Sequence, residues 1–409
     1  MCKVNKLFFQ NNKKYIIIGI RRCDSMKLNV GVIFGGRSLE HEMSIISAIQ
    51  AMDNMDSEKY EIIPIFITKD RQWYTGGCLR FIDTYKDLDL LKRYTKKVNL
   101  INKEGHYILK TSGLIKREVC QLHLAFPIMH GSSGEDGTIQ GYLNLIGIPY
   151  VGSNIFSSAV SQDKVFVKQI LKSNNIPVTK FVWFGERFYR NKKEELFKQL
   201  DELTYPLILK PATLGSSIGI EMITRKEEID STIERSFNLD TKIIIEEKIE
   251  NAIEYNCSVL LTPNGNITSE IEEITTNKDI RTYGDKFVYE DTDESSIKRV
   301  LPAKISEKLR KEIEFYSLSV FKILNMRGTA RVDFLYDKKN NKLYVNEVNC
   351  IPFCFSHHLW EERNISYKEL LNIMMKDAID NEVKSQNMTL VMDYDIIKKM
   401  TNRTIKEMK

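Results

Sequence analysis

Four polar side chains in two short runs could do chemistry together: Arg331 and Asp333 in Ala330–Phe334, and Glu347 and Asn349 in Tyr344–Asn349. The runs alternate apolar and polar residues around a polar turn, Asp337–Asn341, which reads as a β-hairpin. Residues two apart on a strand share a face. Pairing the strands therefore gathers two carboxylates, one carboxamide and one guanidinium on one surface. Oxygen ligands of that kind suit Mg²⁺. An adjacent Arg suits a transferring phosphoryl group or an oxyanion. Taken alone, the same pattern also fits a solvated hairpin face with a surface ion pair.

The elements around the hairpin read as α/β, turning strand-rich (α+β) toward the C-terminus. Asn29–Phe34 is a short apolar strand ended by Gly35–Gly36–Arg37–Ser38, and a helical pattern follows through Ile45, Ile46 and Ala48. Tyr60–Thr68, Leu122–Pro127 and Ile148–Val151 read as further strands, with a helix at Thr138–Leu145. This β–loop–α order predicts a parallel sheet over residues 27–152, with 80–120 peripheral. Ser157–Ser173 reads as one helix. Strands Val178–Phe184 and Leu207–Pro211 and helices Glu194–Leu203 and Glu227–Phe237 make a second α/β unit over 153–241. From 242 to 381 the chain holds strands Lys242–Glu247 and Glu254–Leu261, a long polar loop at 274–298, helix Glu307–Leu324, the hairpin and helix Tyr367–Ala378. A loop of that length inside a compact domain is usually functional. Residues 382–409 read as a charged tail.

The chain has 409 residues, 42% hydrophobic and 28% charged, enough for two or three soluble domains. Its formal charge of +5 is local to residues 1–26, and the remainder carries 54 basic and 54 acidic side chains. The body makes no electrostatic case for nucleic acid. No apolar run reaches membrane-spanning length. The seven Cys are scattered and odd in number, which fits reduced cytosolic thiols. Residues 1–26 read as a disordered or spurious extension before a natural start at Met26.

Lys164 and Lys210, each near the end of an element, could bind phosphate as point charges. The loop Gly215–Gly219 offers backbone N–H groups and hydroxyls to phosphate oxygens, although it lacks the Gly-Lys-Ser/Thr of a P-loop. Five motifs in order then carry a resemblance: Phe-Gly-Gly-Arg-Ser-Leu-Glu-His-Glu at 34–42, His-Gly-Ser-Ser-Gly-Glu-Asp-Gly-Thr-Ile-Gln-Gly at 130–141, Lys-Pro-Ala-Thr-Leu-Gly-Ser-Ser-Ile-Gly at 210–219, Ala-Arg-Val-Asp-Phe at 330–334 and Asn-Glu-Val-Asn at 346–349. From about Lys27 to Ala378 the chain resembles the D-alanine–D-alanine ligase family of the ATP-grasp superfamily, including its D-serine and D-lactate variants.

That resemblance implies three domains with ATP between the central and C-terminal ones, and a cytoplasmic homodimer acting on small amino acids, with no nucleic-acid or membrane partner. It implies Lys164 and Lys210 on the α/β-phosphates, Glu247, Lys248 and Glu250 along the adenine and hinge, and Glu254 on the ribose. Asp333, Glu347 and Asn349 would hold two Mg²⁺ ions, with Mn²⁺ as a possible substitute. Glu40 would anchor the first amino acid's ammonium, His130 would sit near that substrate, and Ser216 would fix the loops over it. Lys286, in the lid 274–298, would contact phosphate. Arg331 would stabilise the tetrahedral oxyanion.

Three positions depart from the family pattern. Cys350–Phe355 replaces Thr-x-Pro-Gly, so Phe353 stands where the family's Gly supplies an oxyanion N–H, at a steric cost if φ is positive there. His358 replaces a Ser that binds the second substrate's carboxylate. Phe287 replaces a lid Tyr, as in relatives that accept D-lactate. The cluster Cys350, Cys354, His357 and His358 lacks a usual zinc spacing. The sequence therefore points to an ADP-forming D-Ala–D-Ala ligase of peptidoglycan synthesis. A ligase with a changed second substrate and an ATP-binding homologue with little catalysis are the alternatives.

Overall fold

The computed structural model describes residues 27–113, 115–276, 297–388 and 400. Three sheets carry it. Strand β1 (Leu28–Gly35) is the apolar run read above, with Val30, Val32, Ile33 and Phe34 fully buried. A strand covered on both faces needs such a run. It pairs in parallel with β2 (Tyr60–Ile67) on one side and with β7 (Leu124–Ile128) on the other. Helix His41–Asn54 follows β1 and carries the loop residue Glu40 at its N-terminus.

The expected parallel sheet forms as β2-β1-β7 and is extended beyond it. Residues 80–120 are not peripheral. Strands β3 (Trp73–Thr75), β4 (Lys96–Lys103), β5 (His106–Thr111) and β6 (Glu118–Leu122) extend the sheet antiparallel, in the order β6-β5-β4-β3-β2-β1-β7. Val98 and Leu100 of β4 alternate with exposed residues and pack with Leu109 of β5, so the lysines and asparagines of these strands mask the strand pattern. The predicted strand Leu122–Pro127 breaks at His123, whose Nδ1 accepts from the Asn29 N–H at 2.9 Å. Ile148–Val151 reduces to one bridge, Tyr150 to Ala125.

The predicted helix 157–173 is two helices, Ile155–Gln162 and Lys164–Ser173, broken at Asp163. Asp163 caps the second, accepting from Val165 N and Phe166 N at 2.9 and 3.1 Å. The break sets Lys164 at a helix start, where its N–H donates to Ala212 O at 2.9 Å. The second sheet is antiparallel: β8 (Phe181–Gly185), β9 (Leu207–Pro211), β10 (Glu221–Ile223) and β11 (Lys242–Glu247), ordered β10-β9-β11-β8. Strand β11 pairs with β8 and β9, so the boundary expected at 241/242 cuts through this sheet.

The third sheet holds β12 (Ile253–Thr262), β13 (Gly265–Thr276), β14 (Ile297–Val300), β15 (Thr329–Asp337) and β16 (Lys342–Asn349), ordered β14-β13-β12-β15-β16. The expected loop 274–298 is strand at both ends, where Thr275 pairs with Lys298 and Thr276 with Ile297. Lys286 and Phe287 lie outside the described residues. Helix Glu307–Ile323 packs on the sheet. The last helix, Tyr367–Gln386, runs past the expected Ala378 into the predicted tail. Among the described residues no helix is long and apolar enough to cross a membrane.

Candidate active site

The hairpin β15–β16 pairs Arg331 with Asn349 and Asp333 with Glu347. The predicted face therefore exists. Arg331 grips Asp333 with two donors, Nε to Oδ1 at 2.6 Å and Nη2 to Oδ2 at 2.9 Å. Asn349 Nδ2 donates to Asp333 Oδ2 at 3.0 Å. Burial opposes the charge of Arg331, but Asp333, Glu272 and Glu347 outweigh it and raise its pKa further. A β-bulge between Asp333 and Phe334 leaves Asn346 without a cross-strand partner. Its Oδ1 accepts from Lys210 Nζ at 3.1 Å.

Two buried lysines face the hairpin. Lys164 Nζ lies 2.9 Å from Glu347 Oε1 and also donates to Leu214 O. Burial works against its charge, yet Glu347 more than compensates and raises its pKa. Lys210 Nζ sits 3.3 Å from Glu246 Oε2, which also takes Lys168 Nζ at 3.2 Å and the Thr179 hydroxyl at 2.7 Å. Sequence reasoning missed Lys168 and Glu246. The visible signal was an acid continuing the apolar run Ile243–Ile245 of a central strand. Burial would raise the Glu246 carboxyl, but Lys168 and Lys210 overcome it and hold the group down to about 2.

Glu40 and Ser216 meet directly: the Ser216 hydroxyl donates to a Glu40 oxygen. Ser216 and Ser217 take left-handed φ of 53° and 61°, a strained placement for non-glycine residues. Gly131, at φ 69°, is required, because a Cβ there would stand 2.6 Å from Glu40 Oε2. His130 Nε2 lies 2.8 Å from Ser47 Oγ. Burial lowers the His130 pKa to about 4, which keeps the ring neutral at pH 7. Glu135, also missed, accepts from the N–H groups of Gly131 and Ile351 at 2.8 and 3.3 Å. Burial, and then the nearby Glu40, push its carboxyl up to about 8.

The strain expected at Phe353 falls elsewhere. Pro352 is extended, and the left-handed residues are Cys354, Phe355 and Ser356, at φ 47°, 53° and 50°. Contacts from the first sheet and its helix hold them. The Cys354 N–H donates to Ser47 Oγ at 3.1 Å, and the Phe355 ring packs 5.5 Å from Phe126. The Phe353 ring lies 6.1 Å from that of His130.

One cavity of about 620 Å³ is lined by Glu40, His130, Ser216, Arg331, Asp333, Glu347, Asn349, Phe353 and His358 together. The expected nucleotide residues lie on β11 and its link to β12. Glu247 accepts from Thr204 N at 3.0 Å, and the Lys248 N–H donates to Pro206 O at 3.0 Å. Glu250 occupies the turn after β11, and Glu254 stands on β12 opposite Leu335. Among the described residues no three His, Cys, Asp or Glu side chains group as a metal cage, the Cys350–His358 cluster included. The hairpin instead offers two carboxylates and an amide oxygen. That all-oxygen, incomplete set fits Mg²⁺ shared with phosphates and water.

Fold and site define a ligase of the ATP-grasp class. Residues 29–153 match the family model described as D-ala D-ala ligase N-terminus, and residues 170–376 the model described as D-ala D-ala ligase C-terminus. A D-alanine–D-alanine ligase from Thermosipho africanus is 40% identical over 357 residues, 86% of this chain and 94% of that protein. The solved VanG D-Ala:D-Ser ligase from Enterococcus faecalis is 31% identical with a TM-score of 0.74, covering 86% of this chain and 100% of that one. The D-alanine–D-alanine ligase from Bacillus anthracis complexed with ATP is 25% identical with a TM-score of 0.64, covering 88% and 100%. The chain belongs to the D-alanine–D-alanine ligase family.

Proposed function

We propose that this protein joins two D-alanines into D-alanyl-D-alanine, a peptidoglycan precursor, converting ATP to ADP and phosphate. The observation that carries the reading is the single cavity that Glu40, Ser216 and Arg331 share with the acidic hairpin, with Lys164 bonded to Glu347 behind it. Glu40 holds the ammonium of the first D-alanine. That substrate's carboxylate oxygen attacks the γ-phosphorus, the bond to the β-phosphate oxygen breaks, and ADP and an acyl phosphate form. Lys164 and Lys210 spread the charge on the phosphates. Asp333, Glu347 and Asn349 would hold Mg²⁺, as two ions or with Mn²⁺ in its place, which supplies charge neutralisation at the phosphoryl group.

The second D-alanine's amine then attacks the acyl carbon. Arg331 stabilises the tetrahedral oxyanion with a backbone N–H at Phe353. Phosphate leaves with the oxygen that came from the first carboxylate, and the amine's proton passes to solvent. Glu247, Lys248, Glu250 and Glu254 take the adenosine, and the family resemblance gives Lys286 and Phe287 their roles in the lid. Three domains, parted near 152 and after Glu247, fit the three sheets. A cytoplasmic homodimer without nucleic-acid or membrane partners belongs to the same reading and rests on the family.

A second reading, D-serine or D-lactate as acceptor, is favoured by one feature, the imidazole of His358 in the cavity wall. The test is phosphate release with ATP and Mg²⁺, with D-Ala alone and then with D-Ser, D-lactate or L-amino acids, products being weighed by mass spectrometry. D-Ala–D-Ala as the main product supports the first reading. Release only with another acceptor supports the second. Silence across the panel would leave an ATP-binding homologue without catalysis.

A further inference from the structure

Residues Cys350–Ser356, which follow β16, hold a backbone that their own sequence does not favour. Cys354, Phe355 and Ser356 are left-handed in succession, and none is glycine, a conformation that side chains oppose. Such a run persists only where its surroundings fix it. Both groups given above to the oxyanion border this run. The Phe353 N–H precedes it directly, and Arg331 Nη1 lies 3.5 Å from Ser356 Oγ.

Ser47, fully buried on helix His41–Asn54, supplies part of that fixing. Its Oγ accepts from the Cys354 N–H at 3.1 Å, and lies 3.6 Å from Cys354 Sγ and 2.8 Å from His130 Nε2. A hydroxyl has one proton and two lone pairs. One lone pair takes the Cys354 N–H, which leaves the proton and the other lone pair for His130 and Cys354 Sγ. Ser47 Oγ therefore sits between the imidazole beside the first amino acid and the backbone behind the oxyanion donors. Ser44, one turn earlier on the same helix, is the contrast. Its Oγ accepts from the His130 N–H at 2.8 Å and donates to Glu40 O at 3.3 Å. Among the described residues it makes no hydrogen bond to the loop 350–356, so it serves the first amino acid's side alone.

We propose that Ser47 is a positioning residue for the second chemical step, holding Cys354, and through it the Phe353 N–H, in place against His130. The inference rests on the ligase reading and deepens it. In that step the acceptor's amine bonds to the acyl carbon, the bond from that carbon to the phosphate oxygen breaks, and phosphate leaves. When the oxyanion donors shift, attack by the amine slows and the acyl phosphate persists. Water then cleaves it to D-Ala and phosphate, and the amine is left unchanged. ATP is consumed without dipeptide, so phosphate released per dipeptide formed reports the placement of the loop. The preceding phosphoryl transfer uses the lysines and the hairpin carboxylates, none of which Ser47 bonds.

The test uses the full chain with ATP, Mg²⁺ and D-Ala, with phosphate measured in solution and D-Ala–D-Ala by mass spectrometry. The unaltered protein should release phosphate and dipeptide in equal amounts. Ser47→Ala should lower dipeptide turnover about tenfold, the size of one lost buried hydrogen bond, and raise phosphate per dipeptide several-fold. KM for ATP should stay within about twofold. Ser47→Cys keeps nearly the same volume but offers only a weak acceptor, so it should move the ratio the same way by less, and it decides the matter should Ser47→Ala fail to fold. Ser44→Ala loses a buried bond of similar length and should keep phosphate and dipeptide equal, whatever its turnover. Equal amounts from the folded Ser47 variants would mean a merely structural role and overturn the proposal. So would a ratio that rises as far in Ser44→Ala as in Ser47→Ala, because any bond to His130 would then suffice. No dipeptide from the unaltered protein would instead overturn the ligase reading, and this inference with it.

Discussion

Glu246→Gln isolates the buried charge that holds Lys210 in place. The carboxylate is 2% exposed and sits 3.2 Å from Lys168 Nζ and 3.3 Å from Lys210 Nζ. At an effective dielectric constant of ~20, each pair attracts by about 5 kcal/mol before desolvation is counted. An amide keeps the shape and the bond to Thr179 but loses both attractions. Breaking a buried pair by neutralising one partner costs about 3–5 kcal/mol. The lower end applies here, because burial already depresses the Lys168 pKa to about 8 and that lysine can shed its proton. The expected loss is therefore about 3 kcal/mol. The assay is urea unfolding followed by the fluorescence of Trp183, which pairs with Ile244 beside the network. Glu246→Gln should also raise KM for ATP. Glu246→Leu combined with Lys168→Met should recover most of the stability, because a packed apolar pair replaces a buried ionic one at little net cost. A Glu246→Gln protein within about 0.5 kcal/mol of the parent would refute the reasoning.

Glu347→Gln should abolish ADP formation while circular dichroism stays unchanged; near-normal turnover would remove the metal assignment. Phe353→Gly should bring no gain in turnover with D-Ala, because the left-handed residues are Cys354–Ser356 and not Phe353. A several-fold gain in kcat would show instead that the ring obstructs the cavity. His130 is neutral when folded, with a pKa of about 4 against 6.5 for the free side chain, so the unfolded chain binds the extra proton between those values. Stability should thus fall as pH drops from 6.5 toward 4, and His130→Gln should flatten that slope in denaturant titrations at several pH values.

The hairpin was legible because period-two alternation and a polar turn declare themselves locally, and its face then follows from geometry alone. The same logic found β1, β9 and β11. It failed at β4–β6, where one solvated face hides the apolar one. From 274 the polar sequence has the look of a loop, although β13 runs on to Thr276. The sheet membership of β11 was not legible because pairing is decided across long sequence separations. Glu246 and Glu272 escaped for a related reason: an acid looks solvated until the lysines or the arginine that answer it are brought in from other strands. The Asn346 bulge and the left-handed run Cys354–Phe355–Ser356 carry no glycine to betray them. Contacts from elsewhere in the chain, those of Ser47 and Phe126 among them, hold that backbone.

The most direct test of the account follows the oxygen. D-Ala labelled with ¹⁸O in its carboxylate is turned over with unlabelled ATP and Mg²⁺ in ordinary water, and the released phosphate is weighed. An acyl phosphate formed in this site predicts one ¹⁸O in each phosphate, in step with D-Ala–D-Ala formed. Unlabelled phosphate alongside dipeptide would contradict it, because the first carboxylate would then never have been phosphorylated.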